Sequence, residues 1–540
     1  MRPDADANVL SILREVARQV PERPALVTRG ADGLDRGITF ARLWQRIDSA
    51  SLGLRQMGLQ PGDRAIVMVP MSIDLYVALL ALLKMGAVAV FVDPWIGWRQ
   101  ISAFAAFSEP RAWIGVARSH ALRLLDRRLR AIPWTVTTGA RFGRWPAAHT
   151  LAELENQPGD DAVYPVTPAD PALITFTSGS SGEPKGADRT HGFLLAQHRA
   201  LAAELPSAEG DVDMPMFPVF ALNNLATGVP SVVPAMDFRR VDRVDAGRVL
   251  DQMTTLRVTT ATASPPFFDR LAAHLAESRG SAPTLRRILT GGAPVSDAQL
   301  RAWRRALPET EILVVYGSTE AEPVAHIHAD ERLATESDTH PRSPGYCAGW
   351  PSPRIRARVI RIHRGPVELT HGRWDGWALP FGEVGELVVT GEHICKSYYK
   401  NPRAVAENKI QDADGRVWHR MGDTGYFDRQ GRFWLAGRVH STIQRAGRAV
   451  HPQLVEQAAR GEDPRIRRVA AVGMPDPELG ERVVVVVETD KNGELGAEIE
   501  ERLAAAGLAA DQIVLTSDML PVDPRHNSKI DYARLRRRLH

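Results

Sequence analysis

The apolar run from Leu75 to Val92 constrains the fold of this chain more than any other feature. Asp74 precedes it, Lys84 interrupts it, and Gly86 divides it into a helical part and a short Ala-Val strand ending at Asp93-Pro94. Arg64–Val69, just upstream, has the texture of a buried strand, so the segment reads strand, helix, strand. That is a βαβ unit over a parallel sheet, and the central lysine argues against a membrane span. The pattern returns in the apolar segments Ala172–Thr177, Val258–Ala263, Arg287–Thr290 and Ile312–Tyr316, with helical patterns at Phe267–Glu277 and Asp297–Ala306 between them. Strands alternating with helices predict an α/β architecture whose ligands bind at the carboxyl ends of the strands.

From about Gly382 the texture changes. Gly385–Val389, Gly431–Leu435 and the Asp414-Gly415 pair predict strands and hairpins, and a smaller α/β segment with Arg468–Val472 and Val483–Val487 follows Gly437-Arg438. A chain of 540 residues exceeds what one core organises, so two domains are expected, 1–437 and 438–540. Thr335–Ser343 is the most loop-like stretch and reads as a surface excursion, and no internal repeat is evident.

Basic and acidic residues nearly cancel, 67 against 64, which argues against nucleic acid as a partner. Two cysteines, Cys347 and Cys395, can build neither a disulfide framework nor a cysteine-rich metal site, and they point to a reducing compartment. Asp4, Asp6, Glu15 and Glu22 occupy a start that lacks an apolar signal core, so a cytoplasmic location is expected. Only seven of the 67 basic residues are lysines (84, 185, 396, 400, 409, 491 and 529), so a lysine inside a motif is a candidate for work that needs a compact ammonium.

Such a motif is Thr177-Ser178-Gly179-Ser180-Ser181-Gly182-Glu183-Pro184-Lys185-Gly186, directly after a strand. Its glycines let the backbone curl so that N–H groups face inward, its hydroxyls add donors, and Lys185 adds a charge for pyrophosphate. Lys185 is followed by Gly186 where a Walker A loop has Ser or Thr, so this is a different phosphate loop. A flexible linker of the same composition has no reason to follow a buried strand or to end in Pro-Lys-Gly.

This loop resembles that of the adenylate-forming enzymes, the superfamily of acyl-CoA synthetases, peptide-synthetase adenylation domains and luciferases. Further segments are similar, in the family's order. Gly291-Gly292-Ala293-Pro294 resembles the segment beside adenine. Tyr316-Gly317-Ser318-Thr319-Glu320 resembles the motif whose tyrosine flanks adenine, whose threonine touches the α-phosphate and whose glutamate holds Mg²⁺. Gly422-Asp423-Thr424-Gly425 and Gly437-Arg438 resemble the ribose-binding aspartate and arginine. Lys529 stands where the family keeps the lysine between substrate carboxylate and α-phosphate. The resemblance implies ATP and Mg²⁺ as cofactors, a large adenylation domain and a smaller, mobile α+β lid carrying Lys529. The implied catalytic set is Lys185, Thr319, Glu320 and Lys529.

Each motif also has a plainer reading: a turn at Gly291-Gly292, a turn cap at Asp423, a solvated carboxylate at Glu320, an exposed basic helix around Lys529. Arg534, Arg536, Arg537 and Arg538 read as a solvated helix end. His326 and His328 alternate along a strand without a third ligand, and read as structural or substrate-side residues.

The departures bear on the second step. His440 stands at the hinge, Gln444 follows Ile443 where a lysine is common, the usual Pro-x-Glu-(Ile/Val)-Glu reads Pro452-Gln453-Leu454-Val455-Glu456, and Pro218 replaces the histidine of the acyl-site turn Pro215–Pro218. These changes put a thiol acceptor in doubt. Arg525-His526-Asn527-Ser528-Lys529-Ile530, with Met214–Asn224 and the phosphate loop, resembles the β-lactone synthetases of bacterial long-chain olefin biosynthesis. That resemblance implies adenylation of a long-chain 2-alkyl-3-hydroxyalkanoic acid and ring closure by its own 3-hydroxyl, with a β-lactone decarboxylase as a pathway partner. Phe217, Phe220, Asn223 and the apolar residues of Leu222–Val229 are candidates for the acyl site, with core packing as the alternative. His526 and His419 are the candidate bases for the hydroxyl. An acyl-CoA or acyl-carrier ligase, and a nucleotide-binding scaffold subunit, are the alternatives.

Overall fold

The computed structural model describes the chain apart from residues 1–3, 31, 93–97, 141, 142, 144, 179–183, 239, 336–344, 462, 491–494, 523–529 and 540, and apart from the side chains of 5, 98, 99, 177, 178 and 184. The βαβ unit forms as strand Arg64–Met68, helix Ile73–Lys84 and strand Val88–Phe91. Ser72 caps the helix by accepting the Leu75 N–H, and every residue from Leu75 to Lys84 is buried. Lys84 is tolerated there because its ammonium lies 2.7 Å from Asp48 and donates to the Ala162 carbonyl. This lysine is a structural tie.

The unit belongs to a seven-stranded sheet in the order His149–Thr150, Trp134–Thr137, Ala112–Gly115, Arg64–Met68, Val88–Phe91, Pro171–Ser178, Pro184–Thr190. All neighbours are parallel except the last pair, in which Thr177 faces Lys185. The carboxyl ends of the parallel strands therefore share one edge.

A second sheet has 14 strands. Its parallel half sets Asp213–Pro215, Thr260–Ala263, Arg287–Thr290 and Glu311–Ser318 side by side. Helices Pro265–Ser278 and Asp297–Ala306 make the crossovers and bury Phe267, Phe268 and Trp303 against it. The antiparallel half contains Ala321–His328, Tyr346–Pro351, Phe433–Arg438, Val417–Phe427 and Gly385–Gly391. Two predicted strands start later than the sequence suggests. Val258 and Thr259 give their N–H groups to Met253 and Val212 and so belong to the preceding turn. Asp428 to Gly431 close a turn, so the last strand begins at Phe433.

From Ile443 onward the chain forms a separate five-stranded sheet with helices Pro452–Arg460 and Leu495–Ala505, around Ile443, Val455, Val485 and Ile499. The architecture is α/β with a smaller α+β unit, as the strand–helix alternation predicts. The loop-like stretch Thr335–Ser343 falls, beyond Thr335, outside the described residues. Among the described residues no helix is long and apolar enough to cross a membrane.

Candidate active site

A cleft of about 1780 Å³ opens where the carboxyl ends of both parallel sheets meet the small unit. Lys185, Gly291, Gly292, Ala293, Pro294, Tyr316, Gly317, Ser318, Thr319, Glu320, Asp423 and Arg438 all line it, as do Phe217 and Phe220. Residues spread over more than 250 positions of sequence thus converge on one space. Gly179, Ser180, Ser181, Gly182, His526 and Lys529 lie outside the described residues, as do the side chains of Thr177 and Ser178. Ile530, Asp531, Tyr532 and Ala533, which follow Lys529 directly, line the cleft from the small unit.

At one pole, antiparallel pairing sets Asp423 opposite Arg438. The Tyr316 hydroxyl donates to Asp423 Oδ2 (2.7 Å), and Arg438 Nε lies 2.8 Å from Oδ1. Tyr316 also stacks near Phe433, with 5.7 Å between ring centroids. The three side chains form one rigid corner with an aromatic wall and a charged floor. Gly291 is no ordinary turn residue: a Cβ there would lie 2.5 Å from the Val315 carbonyl oxygen, so only glycine lets the two strand ends approach.

At the other pole Lys185 and Glu320 are both buried. Lys185 donates to Asn408 Oδ1 (3.3 Å) and lies 3.9 Å from Glu407, while desolvation lowers its ammonium pKa. Arg189, four residues further along the same strand, donates to the Thr319 carbonyl at 2.6 Å and fixes the bend before Glu320. Burial alone raises the Glu320 carboxyl, but the charge of the His419–Lys409 pair and the Tyr398 hydroxyl bond (3.0 Å) outweigh it and hold the group below the usual range. Lys409 donates to the Cys395 carbonyl and to His419 Nδ1 (3.2 Å), and lies over the Tyr398 ring at 4.9 Å. Among the described residues no three His, Cys, Asp or Glu side chains form a metal cluster. An ionised carboxylate at this position suits a cation that takes its remaining ligands from phosphate and water, as Mg²⁺ does.

His419 lines the cleft with its Nδ1 3.2 Å from Lys409 Nζ and 3.4 Å from the Asn408 carbonyl oxygen, and burial lowers its pKa to about 3. So desolvated an imidazole is a poor proton acceptor, which weighs against its reading as the base. His326 and His328 face away from the cleft, 3.6 Å from Glu204 and 3.2 Å from Glu311, and are structural. Asn223 is also corrected. The turn of helix Pro218–Thr227 points Val219, Phe220 and Leu222 at the cleft, whereas Asn223 borders an adjacent cavity of about 140 Å³ and takes a hydrogen bond from His198 Nδ1 (2.9 Å). Leu225 is core and Val229 lines that smaller cavity, so of the residues Leu222, Leu225 and Val229 the cleft is lined by Leu222. The rest of the apolar wall comes from the seven-stranded sheet and its helices: Leu75, Leu79, Phe91, Phe104 and Phe176.

Sequence reasoning missed Arg189, Tyr398, Glu456 and Tyr532 as cleft residues. Burial pushes the Glu456 carboxyl up to about 7 although it accepts from the Ala471 N–H (2.9 Å) and the Tyr532 hydroxyl (2.7 Å).

A two-sheet α/β body with an aromatic–aspartate–arginine corner, a lysine–glutamate pole and a small unit across the cleft defines an adenylate-forming enzyme. The AMP-binding enzyme family model matches residues 13–399, and the chain belongs to that family. It is similar to the olefin β-lactone synthetases of Stenotrophomonas maltophilia and Xanthomonas campestris pv. campestris, each 34% identical over 98% of this chain and 97% and 96% of theirs. A feruloyl-CoA synthase of Amycolatopsis is 29% identical over 93% of this chain and 95% of its own. The fold matches the amide bond synthetase McbA of Marinactinospora thermotolerans, with TM-score 0.80, 22% identity and coverage of 98% and 99% of the two chains.

Proposed function

We propose that this chain is an ATP-dependent β-lactone synthetase that adenylates a long-chain 2-alkyl-3-hydroxyalkanoic acid and closes it to a β-lactone, releasing AMP and pyrophosphate. The observation that carries this reading is the 34% identity to two olefin β-lactone synthetases over 98% of the chain. The departures at Pro218, His440 and Gln444 agree with it. We assign 1–437 as the adenylation domain and 438–540 as a lid.

In the first step the substrate carboxylate attacks the α-phosphorus of ATP and pyrophosphate leaves. Two anions must meet, so the barrier is chiefly electrostatic. On this reading Tyr316 flanks adenine, and Asp423 and Arg438 take the ribose. Lys185 and the phosphate loop offset the charge on pyrophosphate, Thr319 contacts the α-phosphate, and Lys529 sits between carboxylate and phosphate. Glu320 would hold Mg²⁺, which would supply charge neutralisation to the phosphates.

In the second step the 3-hydroxyl oxygen attacks the acyl carbon, AMP leaves with the bonding electrons, and the hydroxyl proton passes to a base. The nucleophile is already tethered, which replaces a bimolecular encounter by orientation within the cleft. Closing a strained four-membered ring draws on the mixed anhydride, and the apolar wall from Leu75 to Phe220 excludes competing water. A β-lactone product also implies a decarboxylase downstream.

The similarity to a feruloyl-CoA synthase favours a second reading, a ligase that passes the acyl group to a thiol. Incubation with Mg-ATP and a 2-alkyl-3-hydroxy acid without CoA separates the two. Stoichiometric AMP with β-lactone ring protons by NMR is the expected result, and AMP that requires added CoA overturns it.

A further inference from the structure

An arginine-rich corner lies beside the acyl side of the cleft. Residues 111–130 contain six arginines and one carboxylate, Asp126. Asp126 offsets little of that charge: among the arginines its carboxylate interacts electrostatically with Arg128, and its hydrogen bonds go elsewhere. Its Oδ1 caps the helix Arg127–Arg130 by accepting the Arg128 and Leu129 N–H groups, and its Oδ2 accepts the Ser102 hydroxyl (2.6 Å). Arg111, Arg118, Arg127, Arg128 and Arg130 are exposed. Between them the turn after helix Ala117–Arg123 pushes two leucines into solvent, Leu124 at 46% and Leu125 at 60% exposure. Apolar tips ringed by arginine are costly in water and unusual on a solvated surface.

The position of this corner matters as much as its chemistry. Ser102 belongs to the helix Trp98–Ser108, which also gives Gln100 and Phe104 to the cleft. Gln100 is exposed and Phe104 is buried and stacked on Phe176 with ring centroids 3.7 Å apart, so this helix forms the rim of the apolar wall. The Ser102–Asp126 bond fastens the corner to that rim. Strand Ala112–Gly115 runs parallel to Arg64–Met68, so the segment that leaves its carboxyl end starts at the same edge of the sheet as the cleft.

We propose that the corner around Leu124, Leu125 and Arg127–Arg130 docks on an anionic lipid bilayer, with the leucines entering the interface and the arginines meeting the headgroup phosphates. The docked orientation brings the rim helix to the membrane, where an acid with two alkyl chains resides. The proposal rests on the long-chain reading of the cleft, but its test does not use that substrate.

The test is flotation of the full chain, without acid or nucleotide, on vesicles of phosphatidylcholine with about one-third phosphatidylglycerol. Binding is expected at low salt, release at about 0.5 M salt, and no binding to pure phosphatidylcholine. Two variants separate the contributions: R127E/R128E/R130E and L124S/L125S. Each is expected to lose at least tenfold in partition while its melting temperature and Mg-ATP binding match the parent. No flotation on anionic vesicles, or variants that float like the parent, overturns the proposal. So does an L124S/L125S variant whose only change is its oligomeric state, which marks the corner as a protein interface. Because binding is read without turnover, failure here leaves the β-lactone reading standing, and failure of that reading leaves the flotation result intact.

Discussion

Replacing Asp423 with Asn isolates the nucleotide corner. Asp423 is 3% exposed and accepts two hydrogen bonds, from the Tyr316 hydroxyl at 2.7 Å and from Arg438 at 2.8 Å. Asparagine keeps the shape and one acceptor oxygen but removes the charge. A hydrogen bond to a charged group contributes about 1.5–3 kcal/mol against about 0.5–1.5 for a neutral one, so the ribose contact weakens by roughly 1–1.5 kcal/mol. Arg438 also loses its counter-ion, but its side chain is 42% exposed and can turn to water, which limits that loss to about 1 kcal/mol. The total of roughly 2–2.5 kcal/mol corresponds to an about 30- to 70-fold rise in KM for ATP. The ribose does not change during the reaction, so the contact is equal in ground and transition states and kcat should fall by less than about threefold. Initial rates of pyrophosphate release at varied ATP measure both numbers. A variant with unchanged KM for ATP and a collapsed kcat refutes the assignment, since Asp423 would then act on the reacting atoms.

Further outcomes follow from other buried groups. Lys185→Met should cut acid-dependent pyrophosphate release by about 10²–10³, the loss typical of one electrostatic contact to a developing charge, and Lys185→Arg should not restore it because the side chain is only 9% exposed. Normal rates in the Met variant would remove Lys185 from the chemistry. Arg420 makes a buried ion pair with Glu386, 7% and 2% exposed with an N–O distance of 2.6 Å, so Arg420→Met should cost about 3–5 kcal/mol in denaturant unfolding by leaving the carboxylate alone. Glu456 holds its proton up to about pH 7 in the folded state against an ordinary value of 4.5. Folding therefore takes up a proton between those values, and stability falls as pH rises through them, by up to roughly 3 kcal/mol. Glu456→Gln should flatten that slope and be the more stable protein at pH 8; parallel pH profiles of unfolding would contradict the burial of an ionisable group there.

The alternation of apolar strands and helices made the α/β body legible, because a strand buried on both faces must be apolar throughout. The motifs made the nucleotide corner legible, because Gly291, Tyr316 and Arg438 stand at or near strand ends and the strand pairing sets Asp423 opposite Arg438. What stayed hidden were contacts between segments remote in sequence. Lys409 is one of only seven lysines, yet nothing near it in the chain says that it lies between Cys395, Tyr398 and His419 behind Glu320. A free imidazole titrates in the useful range, and only the fold reveals the burial of His419 and the Lys409 ammonium beside its Nδ1. Asn223 was misplaced by one step of a helical turn: periodicity indicates that a helix has two faces but not which of them the cleft takes. Leu225 and Leu222 have the same composition and opposite fates for that reason.

The central claim is that the carboxylate is adenylated and the 3-hydroxyl closes the ring. It is tested most directly with an acid carrying oxygen-18 in both carboxylate positions, turned over with Mg-ATP in the absence of CoA. The account predicts that one heavy oxygen leaves in AMP and that the β-lactone keeps the other in its carbonyl, the ring oxygen being unlabelled. Unlabelled AMP with both heavy oxygens in the lactone would mean that the hydroxyl is the activated group, and would contradict the account.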